Sequence, residues 1–285
     1  MCHKDRFLKL GDLEFHIISD GHVHLDGGAM FGVVPRPLWE KKSPPDARNR
    51  ITLSMNCLLI RAAGKRILVE TGAGAKMDQK LREIYGLDGP SLIQSLQKYD
   101  LRPEDIDIVI NTHLHFDHCG GNTRMERDKV VPVFPNARYF VQREEFTHAM
   151  HPNERDHASY LRENYQPIES AGMFSLLDGD TEIVPGVEVV VAPGHTAHMQ
   201  CMKLTGGGQT AFCFADLVPT TAHLPLPWIM GYDLYPMTTL ENKKRWIPQV
   251  VKEGWLALFV HDPRVPAAYL RERDGKLEAE PVQVD

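Results

Sequence analysis

Apolar residues along this chain fall into short runs punctuated by glycine and proline, the signature of many brief strands with helices between them. Residues 15–19 read as a strand entering the turn-like Asp20-Gly21, and a Gly- and Pro-rich loop is expected over 26–46. Two apolar runs, 53–61 and 66–70, flank Ala63-Gly64 and predict a hairpin that ends in Thr71-Gly72-Ala73-Gly74. Residues 91–98 have helical spacing, Pro103 opens a turn, and 106–110 and 138–142 read as strands. The polar stretch 144–165 is expected to be helical with a break at Pro152. Strands follow at 187–192, 209–214 and 256–260, with a helix at 240–252 that Pro248 must kink or interrupt. Four of these strands end at, or run into, a His or Asp, so distant residues can meet along one sheet edge. The mixture of hairpins and helices predicts a layered α/β fold.

Composition adds mainly exclusions. A chain of 285 residues with 42% hydrophobic and 25% charged residues is ordinary for a globular protein. It buries enough core to need no structural metal, so a metal site here points to catalysis. The net charge of -6, with no dense Lys/Arg run, offers no footprint for nucleic acid. No run approaches the roughly 18 apolar residues that span a bilayer, and residues 1–20 lack a secretory pattern. Five cysteines with no CxxC fit free thiols in a reducing compartment, so a cytoplasmic location is expected.

The chemistry concentrates in Thr112-His113-Leu114-His115-Phe116-Asp117-His118-Cys119-Gly120-Gly121. In extended chain, His113, His115 and Asp117 share one side while Leu114 and Phe116 face the core. His118 breaks the alternation, which places a turn there, and Gly120-Gly121 permits it. Imidazole nitrogen and carboxylate oxygen are the donors that ions such as zinc prefer. A polar loop with its histidines in water accounts for an isolated histidine, but not for this spacing.

This segment resembles the signature of the metallo-β-lactamase superfamily. Pro193-Gly194-His195-Thr196, Phe214-Ala215-Asp216, Val260-His261-Asp262 and Leu68-Val69-Glu70-Thr71-Gly72 resemble its further motifs, in order. The resemblance spans about residues 15 to 262. It implies a four-layer αββα sandwich, two mixed sheets flanked by helices, as one domain over 1–285 with a lid or insertion near 140–175. It also implies two divalent metal ions, zinc first and iron, manganese or cobalt as alternatives. His113, His115 and His195 would hold one ion, Asp117, His118 and His261 the other, and Asp216 would bridge them. Glu70 stands where the family has Asp, at a position that orients a ligand histidine.

Among the superfamily's branches, Asp216 argues against β-lactam hydrolysis, and the short tail after His261 argues against the glyoxalase II type. No basic arm of the tRNA-processing type is visible. The segments 26–35 and Asp216-Leu217-Val218-Pro219 resemble the lactonase branch, which includes acyl-homoserine-lactone and YtnP-type lactonases. The implied activity is opening of a small-molecule lactone or ester by a metal-bridging hydroxide, with Asp117 passing the proton. Phosphotriesterase or phosphodiesterase chemistry on the same site and a di-iron redox role are the alternatives, and a homodimer is left open. In that branch a tyrosine stands three residues after the bridging aspartate; here it is Pro219, so Tyr232, Tyr235 or His223 are candidates for its role. Met30, Phe31 and Trp228 are candidates for an apolar substrate wall, as are their bulky neighbours Trp39 and Met230. His148, His151 and His157, with the acids around them, read as a solvated helix and lid. His22-Val23-His24 lacks a following Asp-His and reads as pocket wall or ligand support.

Overall fold

The computed structural model describes residues 8–283. In chain order the elements begin with β1 (Leu8–Leu10), β2 (Leu13–Asp26), α1 (Gly27–Phe31), α2 (Arg36–Trp39), β3 (Arg50–Ala62) and β4 (Lys65–Val69). Next come α3 (Gln79–Tyr85), α4 (Leu92–Gln97), β5 (Ile108–Ile110), α5 (Phe116–Cys119), β6 (Thr123–Glu126), β7 (Lys129–Pro132) and β8 (Arg138–Gln142). The middle of the chain holds α6 (Arg143–Met150), α7 (Gln166–Ser170), β9 (Phe174–Leu177), β10 (Thr181–Val184) and β11 (Val187–Val191). The last elements are β12 (Gln200–Gly206), β13 (Gln209–Cys213), α8 (Pro236–Glu253), β14 (Leu256–Leu258), β15 (Ala267–Arg273) and β16 (Lys276–Pro281).

Strands β1-β2-β3-β4-β5-β8-β9 form one sheet and β10 to β16, in sequence order, form the other. Both sheets are mixed: β4, β5, β8 and β9 pair in parallel, as do β13 and β14, and the remaining pairings of the two sheets are antiparallel. The two-residue period of a strand assigns its side chains to layers. In β4, Ile67 and Val69 enter the core between the sheets, while Leu68 packs outward with α4. In β13, Ala211 and Cys213 face inward and Phe212 packs outward against Trp246 of α8. Helices therefore close both outer faces, giving the expected αββα sandwich.

Several local expectations change. The loop at 26–46 carries two short helices, because Asp26 caps α1 by accepting from Ala29 N at 2.8 Å and prolines pre-set the first turn of α2. Helix α6 ends at Met150, ahead of Pro152, and no helix resumes until α7 apart from a single 3-10 turn at Arg162–Asn164; the Asn153 N–H bonded to Asp156 Oδ1 at 2.9 Å commits the chain to a turn. Pro248 does not interrupt α8, which runs for 18 residues. It lies on the exposed face, opposite the buried stripe Thr239, Lys243, Trp246, Ile247 and Val250, so the carbonyl it leaves unpaired faces water. Helix α4 is held at its start by a capping box, with Ser91 and Gln94 exchanging side-chain and backbone bonds.

Cys57, Cys119, Cys201 and Cys213 are free and buried, and Cys2 lies outside the described residues. Among the described residues no helix is long and apolar enough to cross a membrane.

Candidate metal centre

Each candidate ligand leaves the scaffold where a strand stops. After β5, the chain passes through Asn111-Thr112 to His113 and His115, and His115 is the N-cap of α5. Extended alternation thus ends at His115. Asp117 and His118 reach the site from the single turn of α5, not by continuing the strand pattern. The turn is clamped from below: the His118 carbonyl accepts from Thr71 N at 2.8 Å and from Thr71 Oγ1 at 3.2 Å. The 71–73 loop presses so closely that a Cβ on Gly120 would lie 2.2 Å from Ala73 O, and one on Gly121 would lie 2.2 Å from Thr71 O. That contact, as well as the turn itself, requires the two glycines.

His195 follows β11, Asp216 follows β13 through Ala215, and His261 follows β14. Ala215 has a φ of 48°, and Glu70, at the end of β4, has a φ of 64°. Both are non-glycine residues in left-handed backbone, and strain of this kind is kept where surrounding structure over-determines it.

The seven side chains converge. His113 Nε2 and His195 Nε2 lie 3.1 Å and 3.0 Å from His115 Nδ1. His118 Nε2 lies 3.1 Å from His261 Nε2, with the Asp117 carboxylate 3.7 Å from the latter. Asp216 sits between the two sets, one oxygen 3.2 Å from His195 Nε2 and the other 3.2 Å from His261 Nε2. His113, His115 and His195 form one group with candidate ligand atoms within 4.8 Å of one another, Asp117, His118 and His261 form a second, and His113, His118 and Asp216 form a third that spans them.

The far ring nitrogens decide what the near ones can do. His195 Nδ1 faces Asp233 Oδ1 at 3.0 Å, and His261 Nδ1 faces the Ser54 carbonyl at 2.8 Å, so both donate outward. His118 Nδ1 points at Glu70 Oε1, 3.4 Å away. The tautomers of His195 and His261 leave their Nε2 lone pairs aimed into one small volume. Lone pairs about 3 Å apart repel unless a cation or proton lies between them, and Asp216 Oδ1 is buried with no hydrogen-bond partner. Nitrogen and oxygen donors so placed fit divalent ions of the zinc type.

Electrostatics separate the groups. Burial, then the neighbouring imidazoles, push His113 and His115 well below the usual histidine value. Burial opposes charge on His118, His195 and His261 as well, but Asp216 and nearby acids raise all three. Burial would raise the Asp216 carboxyl, yet His261, His118 and His195 hold it well below the carboxylate range.

A cavity of about 390 Å³ opens onto the centre. Its apolar wall includes Leu25, Met30, Leu53, Phe116 and Met230, and Tyr85, Tyr232 and Arg155 supply polar groups. Met30 and Tyr232, two of the candidate substrate residues, are in this lining. Phe31, His223, Trp228 and Tyr235 lie outside the lining. Phe31 stacks on His223 at 4.6 Å and meets the edge of Trp228 at 5.7 Å, and His223 donates from Nε2 to the Met30 carbonyl at 2.8 Å. Phe31, His223 and Trp228 therefore pack together beside Met30 and outside the lining. Of the expected bulky neighbours, Met230 lines the cavity and Trp39 is buried against Phe31 at 5.3 Å. Tyr235 caps α8 at the surface. His22 and His24 bond Asp88 at 2.9 Å and 3.1 Å beside a separate groove.

Four residues in and around the site carry no motif. Asp233 orients His195 and accepts from Thr239 Oγ1 at 2.7 Å through its other oxygen. Glu145 and Asp156, expected on a solvated helix, are buried; Asp156 is 2.6 Å from His148 Nε2. Arg155 brings a cation into the lining. Single acids or bases outside a motif have no spacing to recognise.

Comparison with known proteins agrees with this geometry. The profile of the metallo-beta-lactamase superfamily matches residues 51–263. An N-acyl homoserine lactonase from a Bacillus species is 31% identical over 226 residues, covering 74% of this chain and 82% of its own. The crystal structure of a probable metal-dependent hydrolase from Staphylococcus aureus is 33% identical, with a TM-score of 0.90 over 97% of this chain and 99% of that one. AidC, a dizinc quorum-quenching lactonase, shares the fold at a TM-score of 0.80 and 22% identity, covering 98% of each chain. With its candidate ligand residues gathered beyond the strand ends and its two sheets closed by helices, this chain belongs to the metallo-β-lactamase superfamily, as a metal-dependent hydrolase.

Proposed function

We propose that the protein opens the ring of a small lactone of the N-acyl homoserine class, using two divalent ions, zinc first among them. The observation that carries this reading is the pair of ligand groups on either side of Asp216, opening into a cavity with an apolar wall. The lactonase named among its relatives supports the substrate class. His113, His115 and His195 would hold one ion, Asp117, His118 and His261 the other, with Asp216 shared. When bound, such ions supply Lewis acidity and bring the pKa of a water to about 7.

The chain's own residues do the rest. Asp117 lines the cavity beside His261 and is the residue we assign to carry a proton to the leaving oxygen. Leu25, Met30, Phe116 and Met230 exclude water and suit an acyl chain. The missing tyrosine of the lactonase motif is at Pro219, whose carbonyl accepts from His261 N at 3.0 Å. Tyr232 stands in the cavity instead. Burial, then Asp26 and Asp117, push its phenol up to about 12, so the hydroxyl stays a donor for a substrate carbonyl. Residues 140–175, which supply Arg155 and Ser159 to the lining, act as the lid.

A second reading, phosphodiester hydrolysis, draws on Arg155. The test is a panel of N-acyl homoserine lactones, followed by acid release, beside an aryl phosphotriester and a phosphodiester, on protein of measured metal content. Two ions per chain and lactone turnover that a chelator abolishes and zinc restores are expected. Phosphoester turnover exceeding that of every lactone refutes the substrate class.

A further inference from the structure

We propose that Glu145 is a positioning residue that holds all three histidines of one metal site, His113, His115 and His195, and thereby sets that site's affinity apart from its neighbour's. This rests on the two-ion reading above. Glu145 lies in the first turn of α6, outside every motif, and is fully buried. Its Oε1 accepts from the Leu114 backbone N–H at 3.1 Å and from the Tyr160 hydroxyl at 2.9 Å. Its Oε2 accepts from the Thr196 hydroxyl at 2.7 Å.

Each partner adjoins a ligand. Leu114 separates His113 from His115, so its N–H fixes the peptide between the two rings. Thr196 follows His195. The Tyr160 ring meets the edge of the His115 ring, centroids 4.7 Å apart. Burial, then Glu145 itself, pushes the Tyr160 phenol far above its usual value, so it remains a donor. One carboxylate thus ties together segments near residues 114, 160 and 196. It makes no ion pair among the described residues, so its three bonds are its whole compensation for burial.

The second group is supported differently. His118 faces Glu70, and His261 donates to the Ser54 carbonyl. No hydrogen bond from Glu145 reaches Asp117, His118 or His261. Residues that orient ligands in this way change metal affinity by about 10- to 100-fold when removed. The asymmetry follows: loss of Glu145 weakens one site and spares the other.

The experiment compares Glu145→Ala and Glu145→Gln with the parent protein. Stepwise zinc affinities come from chelator competition, and anomalous scattering at limiting zinc gives the occupancy of each site. In Glu145→Ala the site of His113, His115 and His195 should lose about 10- to 100-fold in affinity, with the other unchanged. Glu145→Gln should recover most of it, since the amide oxygen serves Leu114 and Tyr160 while Thr196 rotates to accept. Should Glu145→Ala not fold, the pair Tyr160→Phe with Thr196→Val removes two of the three bonds and must show the same selective loss. Equal loss at both sites, or none, overturns the assignment while leaving the two-ion reading intact. A parent protein that takes up fewer than two ions overturns both.

Discussion

Replacing Asp233 separates the charge behind His195 from the hydrogen bonds it makes. Asp233 and His195 are both buried, and the carboxylate accepts from His195 Nδ1 at 3.0 Å and from Thr239 Oγ1 at 2.7 Å. In Asp233→Asn the amide oxygen can serve His195 while Thr239 turns to accept from the amide nitrogen. Geometry survives and only the charge is lost. A hydrogen bond to a charged group is worth about 1.5–3 kcal/mol against about 0.5–1.5 for a neutral one, so the loss is about 1–1.5 kcal/mol. That corresponds to about tenfold in zinc affinity. Asp233→Ala instead strands two buried donors, each costing about 1–3 kcal/mol, so stability falls by about 2–6 kcal/mol. His195 also loses its orientation, with about 10- to 100-fold in affinity. Urea unfolding of metal-stripped protein reads the first quantity, and chelator competition reads the second. The order parent, Asn, Ala must hold in both. Should Asp233→Ala match the parent within about 0.5 kcal/mol in urea, the buried bonds do not have the role assigned to them.

Asp117→Asn is expected to lower lactone turnover by about 10²- to 10⁴-fold with both ions retained, and parental turnover would refute the proton-carrying role. Burial raises the Asp20 carboxyl to about 6, above its unfolded value, although Leu92 N and Gly74 N donate to it. The folded state then binds more protons than the unfolded state between about pH 4 and 6, so this group costs stability as pH rises through that window. Melting curves of Asp20→Asn across pH 4–8 should lack that component, and parallel curves for the two proteins would contradict it. Pro248→Ala should stabilise α8 by about 2 kcal/mol, the helix penalty of proline less its effect on the unfolded chain, as read by urea unfolding. An unchanged midpoint would mean that the helix already absorbs the proline without strain.

Much of this centre was legible in the chain because its ligands sit in short, ordered segments. Three imidazoles and a carboxylate within six residues, then Gly-His, Ala-Asp and Val-His at the ends of apolar runs, state both donor type and place. The alternation of β4 and β13 likewise predicts which residues enter the core and which meet a helix. Tertiary structure decided the rest. Whether Phe31, His223 and Trp228 line the cavity or pack on one another outside it depends on stacking that no periodicity encodes. Glu145 and Asp233 are single acids outside any motif, and their roles arise only when the 145, 196 and 233 backbones are folded against His113, His115 and His195. Local physics specifies strands, turns and the kind of donor. The partners of a lone buried carboxylate are set by long-range packing, which a sequence does not display residue by residue.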